Sequence, residues 1–159
     1  MNLKLTMAIA LLATLPPAQA AESEITLQIG AAVKNVSEVR TAPGQSTLSI
    51  VAEGAGKISL RGETVRFHVL CTMLDTLNAK EVVAGVGDCE FKSTEGGTIY
   101  AHFQTIPGYG DRGHLTFSGG TQDFARVTGR VPIEVTVNPT KIGKMVFFVE
   151  NMNESGTAK

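Results

Sequence analysis

The chain has 159 residues, 43% of them hydrophobic and 18% charged, with a net charge of −1. Its Lys and Arg residues are scattered, with no basic run, so neither nucleic acid nor an anionic membrane surface is an expected partner, because both need clustered positive charge. The length suits one domain, able to bury about two-thirds of its unfolded surface without a metal.

Residues Met1 to Ala20 have the three parts of a cleavable export signal. Lys4 supplies the positive start, and Leu5 to Leu15 is an apolar run shorter than the ~20 residues a membrane helix needs. Pro16 and Pro17 then break the helix, and Ala18-Gln19-Ala20 offers the small-x-small cleavage pattern. The expected mature protein begins near Ala21, carries a net charge of −2 once Lys4 is removed, and resides in the periplasm or outside the cell. No later stretch is apolar and long enough to span a membrane. A single domain over residues 21–159 is expected, with residues 151–159 a polar, frayed tail.

Beyond the leader the hydrophobic pattern is β, in short runs that alternate and are separated by Gly, Asn, Asp and Pro. Candidate strands are Ile25 to Ile29, Ser46 to Ala52, Lys57 to Arg61, Val65 to Met73, Val82 to Lys92, Thr98 to Ile106, Gly113 to Ser118, Val131 to Val137 and Lys144 to Glu150. The apolar parity switches between Ile58/Leu60 and Val65/Phe67, so a turn or bulge is expected at Gly62. Val65, Phe67, Val69, Cys71 and Met73 share one face, and Arg66, His68 and Thr72 the other. In an oxidising compartment the two cysteines, Cys71 and Cys89, read as a disulfide. The clearest hairpin flanks Pro107-Gly108-Tyr109-Gly110-Asp111. Met145 to Val149 is apolar on both faces, which fits a strand covered outside by another element or a second subunit. Strands in succession without helices close on themselves or pack as a sandwich. About eight of them enclose an interior that side chains fill or that holds one small ligand.

The segment Gly119-Gly120-Thr121-Gln122-Asp123-Phe124, followed by Val127 and Gly129, resembles the signature of the allene oxide cyclase and dirigent barrel superfamily. Those families carry Gly-Gly-Ser/Thr-Gly-x-Phe ahead of a Gly that opens the next strand. The resemblance covers best the stretch from about Val82 to Phe148, and it implies an eight-stranded antiparallel closed barrel, often trimeric in plant members. The matched residues, Gly119, Gly120, Thr121, Phe124 and Gly129, are architectural, with Phe124 suited to plug a barrel end. Gln122 departs from the pattern, where the family usually has a third Gly.

No motif in the chain carries chemistry. There is no HExxH, phosphate loop, dinucleotide fingerprint, nucleophile elbow or CxxC pair. Tyr100, His102 and His114 form a candidate polar cluster, since the hairpin is expected to set the two histidines opposite each other on one face. Two imidazoles across strands can begin a metal site, but no third ligand is placed, and the apolar partner face (Ile99, Ala101, Phe103, Leu115, Phe117) makes the histidine face the expected solvent side. Asp88 and Glu90 alternate with Cys89 and Phe91 and are expected to point outward. No metal or cofactor is expected. The candidate ligand-contacting residues are those expected to line the lumen: Phe67, Val69, Phe91, Phe103 and Phe117. The resulting expectation is an exported barrel that binds a small hydrophobic molecule or serves as a scaffold, with a homo-oligomer (dimer or trimer) among its partners. The alternatives are an isomerase or cyclase-like enzyme acting on a hydrophobic substrate in the lumen, and an interaction protein associating through Met145 to Val149.

Overall fold

The computed structural model describes residues 25–60, 62–139 and 145–151. Residues Met1 to Ala20, where an export signal is expected, the tail beyond Asn151 and Lys144 of the last candidate strand lie outside the described residues. Among the described residues eight strands run in order: β1 (Thr26–Ala42), β2 (Gln45–Leu60), β3 (Glu63–Asn78), β4 (Glu81–Ser93), β5 (Thr98–Thr105), β6 (Arg112–Gly120), β7 (Thr128–Pro139) and β8 (Met145–Asn151). Each pairs antiparallel with the next, and β8 pairs back onto β1, so the sheet closes as a barrel. A short 3₁₀ turn, Gln122–Phe124, joins β6 to β7. Among the described residues no helix is long and apolar enough to cross a membrane.

Alternation decides which side chains face inward. On β3, Phe67, Val69 and Cys71 are buried while Arg66, His68, Leu70 and Thr72 are exposed, the period of two that a half-buried strand requires. The parity switch around Gly62 has a simple cause. Ile58 pairs with Val65, and a two-residue turn between antiparallel strands makes paired positions sum to an odd number, so the inward set changes from even to odd. Gly62 takes the left-handed φ of 85° that this turn uses.

Two expectations about strands are corrected. Ser46 to Ala52 and Lys57 to Leu60 are not separate strands; both fall on β2, with Gly54 and Gly56 pairing within the ladder, and Arg61, the last residue of the second candidate strand, lies outside the described residues. A Cβ on Gly54 would lie 2.0 Å from the Gly30 carbonyl oxygen, so this glycine permits the close backbone approach of a coiled sheet rather than a turn. The first strand does not stop at Ile29. It continues to Ala42 through mostly exposed positions, turning at Gly44 with φ 75°. Beyond Ala32 its outer edge has no pairing with β8, and bulges interrupt its pairing with β2 at Val33/Asn35 and at Arg40/Ala42.

Met145 to Val149 also differs from expectation. Phe147 points inward and is buried, while Phe148 lies outside against Gly30 and remains 45% exposed. Among the described residues no other element covers it.

Packing divides the barrel lengthwise. At the end carrying the β2–β3, β4–β5 and β6–β7 turns, aromatic rings fill the interior. Phe67 meets Phe91 edge-on at 6.3 Å, Phe91 meets Phe117 at 6.1 Å, and Phe124 closes the end 5.5 Å from Phe67. Phe124 comes from the 3₁₀ turn, whose entry is held by Thr121: its N–H donates to the Thr98 carbonyl (2.8 Å) and its hydroxyl accepts from the Thr98 N–H (3.0 Å). Gly119 and Gly129 take φ of 123° and 150°, and Gln122, at the position that departs from the Gly-rich pattern, takes a left-handed φ of 54°.

Cys71 and Cys89 are bonded. They stand directly opposite on β3 and β4, with Cα atoms 4.2 Å apart and 18 positions separating them in sequence. Cross-linking a loop of this length stabilises a fold by about 3 kcal/mol in the chain-entropy account. The double variant Cys71→Ala/Cys89→Ala is expected to lose stability of that order in urea unfolding. Coincident midpoints for variant and parent would show that the closed loop contributes nothing.

Candidate ligand site in the barrel lumen

The opposite half of the barrel, at the end of the β3–β4 and β5–β6 hairpins, is not filled. Its inward positions carry small or slender side chains: Ala31 on β1, Ala52 on β2, Gly85 and Gly87 on β4. Along β4 the inward series Phe91, Cys89, Gly87, Gly85 tapers from large to none. A cavity of about 90 Å³ results, bordered by Phe103, Leu115, Ile133 and Phe147 on one side and by Ala52, the disulfide and Met73 on the other. The β5–β6 loop, residues 106–111, roofs it. The Gly108 N–H donates to the Val83 carbonyl (3.2 Å), and the Asp111 carbonyl accepts from the Val135 N–H (2.7 Å), tying the loop to both flanking strands. Gly110 borders the cavity.

Two polar side chains, Asp75 and Thr105, reach this apolar chamber. Asp75 continues the inward series of β3 one step past Met73 and is 9% exposed. It pairs across the ladder with Gly85. A Cβ on Gly85 would lie 2.4 Å from the Asp75 carboxyl oxygen and 3.2 Å from the Thr105 methyl, so the missing side chain is what makes room for the carboxyl group. Thr105 takes over where the β4–β5 backbone ladder ends at Val86/Gln104. Its hydroxyl accepts from the Gly85 N–H (2.6 Å) and donates to the Gly85 carbonyl (3.3 Å). Desolvation by the apolar walls disfavours the charged carboxylate and pushes the Asp75 pKa from 3.8 up to about 6.

Asp75 was not among the residues expected at a site. The signal was present, since the alternation Val65, Phe67, Val69, Cys71, Met73 runs on to position 75; a strand ended at Met73 hides it. The five side chains expected to line the lumen all point inward and are buried. Phe103 borders the cavity, whereas Phe67, Val69, Phe91 and Phe117 fill the aromatic half.

The candidate polar cluster is placed differently from expectation. The β5–β6 loop is longer than a turn centred on Gly108, so the register pairs His102 with Thr116 and His114 with Gln104. The two histidines share the outer face but are not opposite each other. His102 instead turns to β4, its Nδ1 lying 3.0 Å from an Asp88 carboxylate oxygen, with both groups exposed. Tyr100 and His102 border a shallow outer groove with Leu70, Glu90 and Ser118, and Ser118 donates to the Tyr100 carbonyl rather than to the imidazole. His68 meets Glu53 at 2.9 Å on the outer face. A hydrogen bond from Lys34 first, and from His68 second, holds the Glu53 carboxyl below its ordinary range. Among the described residues no three His, Cys, Asp or Glu side chains gather as a metal-ligand set. No protein-family model, curated protein or solved structure matches the chain.

The buried acid has a consequence for stability. Below pH 4 Asp75 is protonated in both the folded and the unfolded chain. Between pH 4 and about 6 the unfolded chain releases the proton while the folded one holds it, so stability falls as pH rises. At 1.36 kcal/mol per pH unit, the difference between 3.8 and about 6 amounts to roughly 3 kcal/mol. Asp75→Asn, which keeps the shape and removes the charge, is expected to raise the unfolding free energy by about 2–3 kcal/mol at pH 8 and to change little at pH 3.5. Equal effects at the two pH values in denaturant titrations would contradict the buried-carboxylate account.

Proposed function

We propose that this protein binds a small, largely apolar molecule in the open half of its lumen. The observation that carries this reading is the asymmetry of the interior, aromatic and filled at one end, hollow and apolar at the other. A cavity of about 90 Å³ is smaller than the ~150 Å³ apolar site that accepts benzene in an engineered protein. The ligand, or the part of it that enters, is therefore only a few heavy atoms in size. Concave apolar sites with a few convergent polar groups are the usual form of small-molecule pockets.

The same reading takes the protein to be exported, on the strength of the Met1 to Ala20 leader and of a disulfide, which persists in oxidising compartments. It also takes the barrel as kin to the allene oxide cyclase and dirigent superfamily. The left-handed φ of Gln122, where that signature has glycine, and the seating of Phe124 on Phe67 support the kinship. An isomerase or cyclase-like activity is the second reading, favoured by one feature: a carboxyl group held in a sheltered chamber with its pKa near the working range of an acid–base catalyst.

Ala52 faces the cavity and is 1% exposed, so Ala52→Leu fills the chamber from its wall. Titration with short aliphatic and aromatic probes, read by ligand-observed NMR, is expected to show saturable binding to the parent and at least a tenfold loss in Ala52→Leu. Absence of saturable binding to the parent, or equal binding to both, refutes the proposal.

A further inference from the structure

We propose that the lumen selects a ligand with a protonated amine, whose ammonium group sits on the Asp75 carboxylate while a short apolar body fills the chamber between Phe103 and Phe147. The inference rests on the lumen being a ligand site and adds the chemical class of the ligand.

The geometry supplies a receptor for one cationic group and little else. Asp75 is buried on the inward face of β3, and the absent side chain of Gly85 leaves its carboxyl group free to lie over the sheet. Thr105 Oγ1, beside it, already accepts the Gly85 N–H and keeps a second lone pair. Among the described residues, the remaining walls of the chamber offer an ammonium group no second carboxylate. Among the described residues the ion pairs are Lys34 with Glu53, His68 with Glu53 and His102 with Asp88, all on the outer face, so none engages Asp75.

Among the described residues, the groups that face Asp75 from each neighbouring element are few. Leu48 pairs with it on β2 and Gly85 on β4, Thr105 stands on β5, and apolar Val135 and Val149 border the cavity from β7 and β8. On β1 the inward-parity charges are Glu38, paired with Leu48, and Arg40, paired with Ser46. Both are exposed at the rim.

A buried carboxylate without a counter-charge is costly, and it is offset by a cation or relieved by protonation. An aliphatic amine, protonated to about pH 10 as a lysine is, brings the cation and a body that apolar walls accept. An alcohol of the same length offers a weaker, neutral donor, and a carboxylic acid brings a like charge. Specificity of this kind depends on which group is left unpaired, and it exceeds what one methylene contributes. Because burial holds the Asp75 proton to about pH 6, the carboxylate is present at neutral pH. Preference for the amine falls away as pH drops below that point.

The test uses the whole protein and three probes of equal length: n-butylamine, n-butanol and butyrate. Dissociation constants are measured by ligand-observed NMR at pH 7.5 and pH 5 for the parent and for Asp75→Asn, a variant that removes the buried charge and keeps the chamber. At pH 7.5 n-butylamine is expected to bind the parent at least tenfold more tightly than n-butanol, with butyrate weakest. The preference is expected to vanish in Asp75→Asn, which still binds n-butanol, and to shrink about tenfold per pH unit below pH 6. Equal binding of amine and alcohol by the parent overturns the amine assignment and leaves the lumen site standing. Butanol or butyrate tighter than butylamine at pH 7.5 likewise overturns it, with Asp75 acting as a donor. If none of the three binds, both readings fail.

Discussion

Ring closure is the constraint on which everything else in this molecule depends, and it is made by a short seam. Five residues of β1, Gln28 to Ala32, pair with Glu150 to Val146 of β8, whereas β2 and β3 pair along nearly their whole lengths. The seam joins parts of the chain more than a hundred residues apart, so its closure carries a loop-entropy cost that the intervening hairpins reduce by shortening that distance. Once closed, eight strands fix the radius of the interior. From then on the size of inward side chains alone decides which part of the lumen is solid and which is hollow.

That decision is made strand by strand. Phe67, Phe91 and Phe117 come from three neighbouring or near-neighbouring strands at one level and interlock, with Phe124 folded in from a turn. One level further along, β4 presents only Gly87 and Gly85, β1 and β2 present alanines, and the disulfide occupies less volume than two large aliphatic chains would. The chamber is thus a consequence of the same alternation that builds the core. Its polar point, Asp75, rests on an empty glycine position and beside a threonine hydroxyl that continues the ladder after the backbone has stopped.

Much of this is written in the sequence as period-two alternation, and that part is readable: the inward faces of β3 and β7, the outward Asp88 and Glu90, the facing cysteines, the turn at Gly62. The unread parts have particular causes. Gly54 and Gly56 look like a break because glycine at a close backbone contact and glycine in a turn are indistinguishable without the partner strand. Residues Val33 to Ala42 escape notice as strand because β1 there extends beyond its pairing with β8 and no longer needs an apolar face. The loop of residues 106–111 offset the histidines, since its length sets the register of every pair beyond it. Asp75 is hard to read from the sequence because a charged residue ends a hydrophobic run by composition even when it continues it by position.

The overhang of β1 beyond the seam bears on how the protein coexists with copies of itself. From Lys34 to Ala42 the outer backbone N–H and C=O groups have no partner on β8, and Val36 and Val39 are 48% and 62% exposed. A long flat edge of this kind invites another chain to add a strand. Here the edge is broken by bulges at Val33/Asn35 and Arg40/Ala42, studded with Lys34, Glu38 and Arg40, and ended by Pro43. Those are the devices that blunt edge-to-edge aggregation, so the overhang carries its own safeguards against the addition of a further strand.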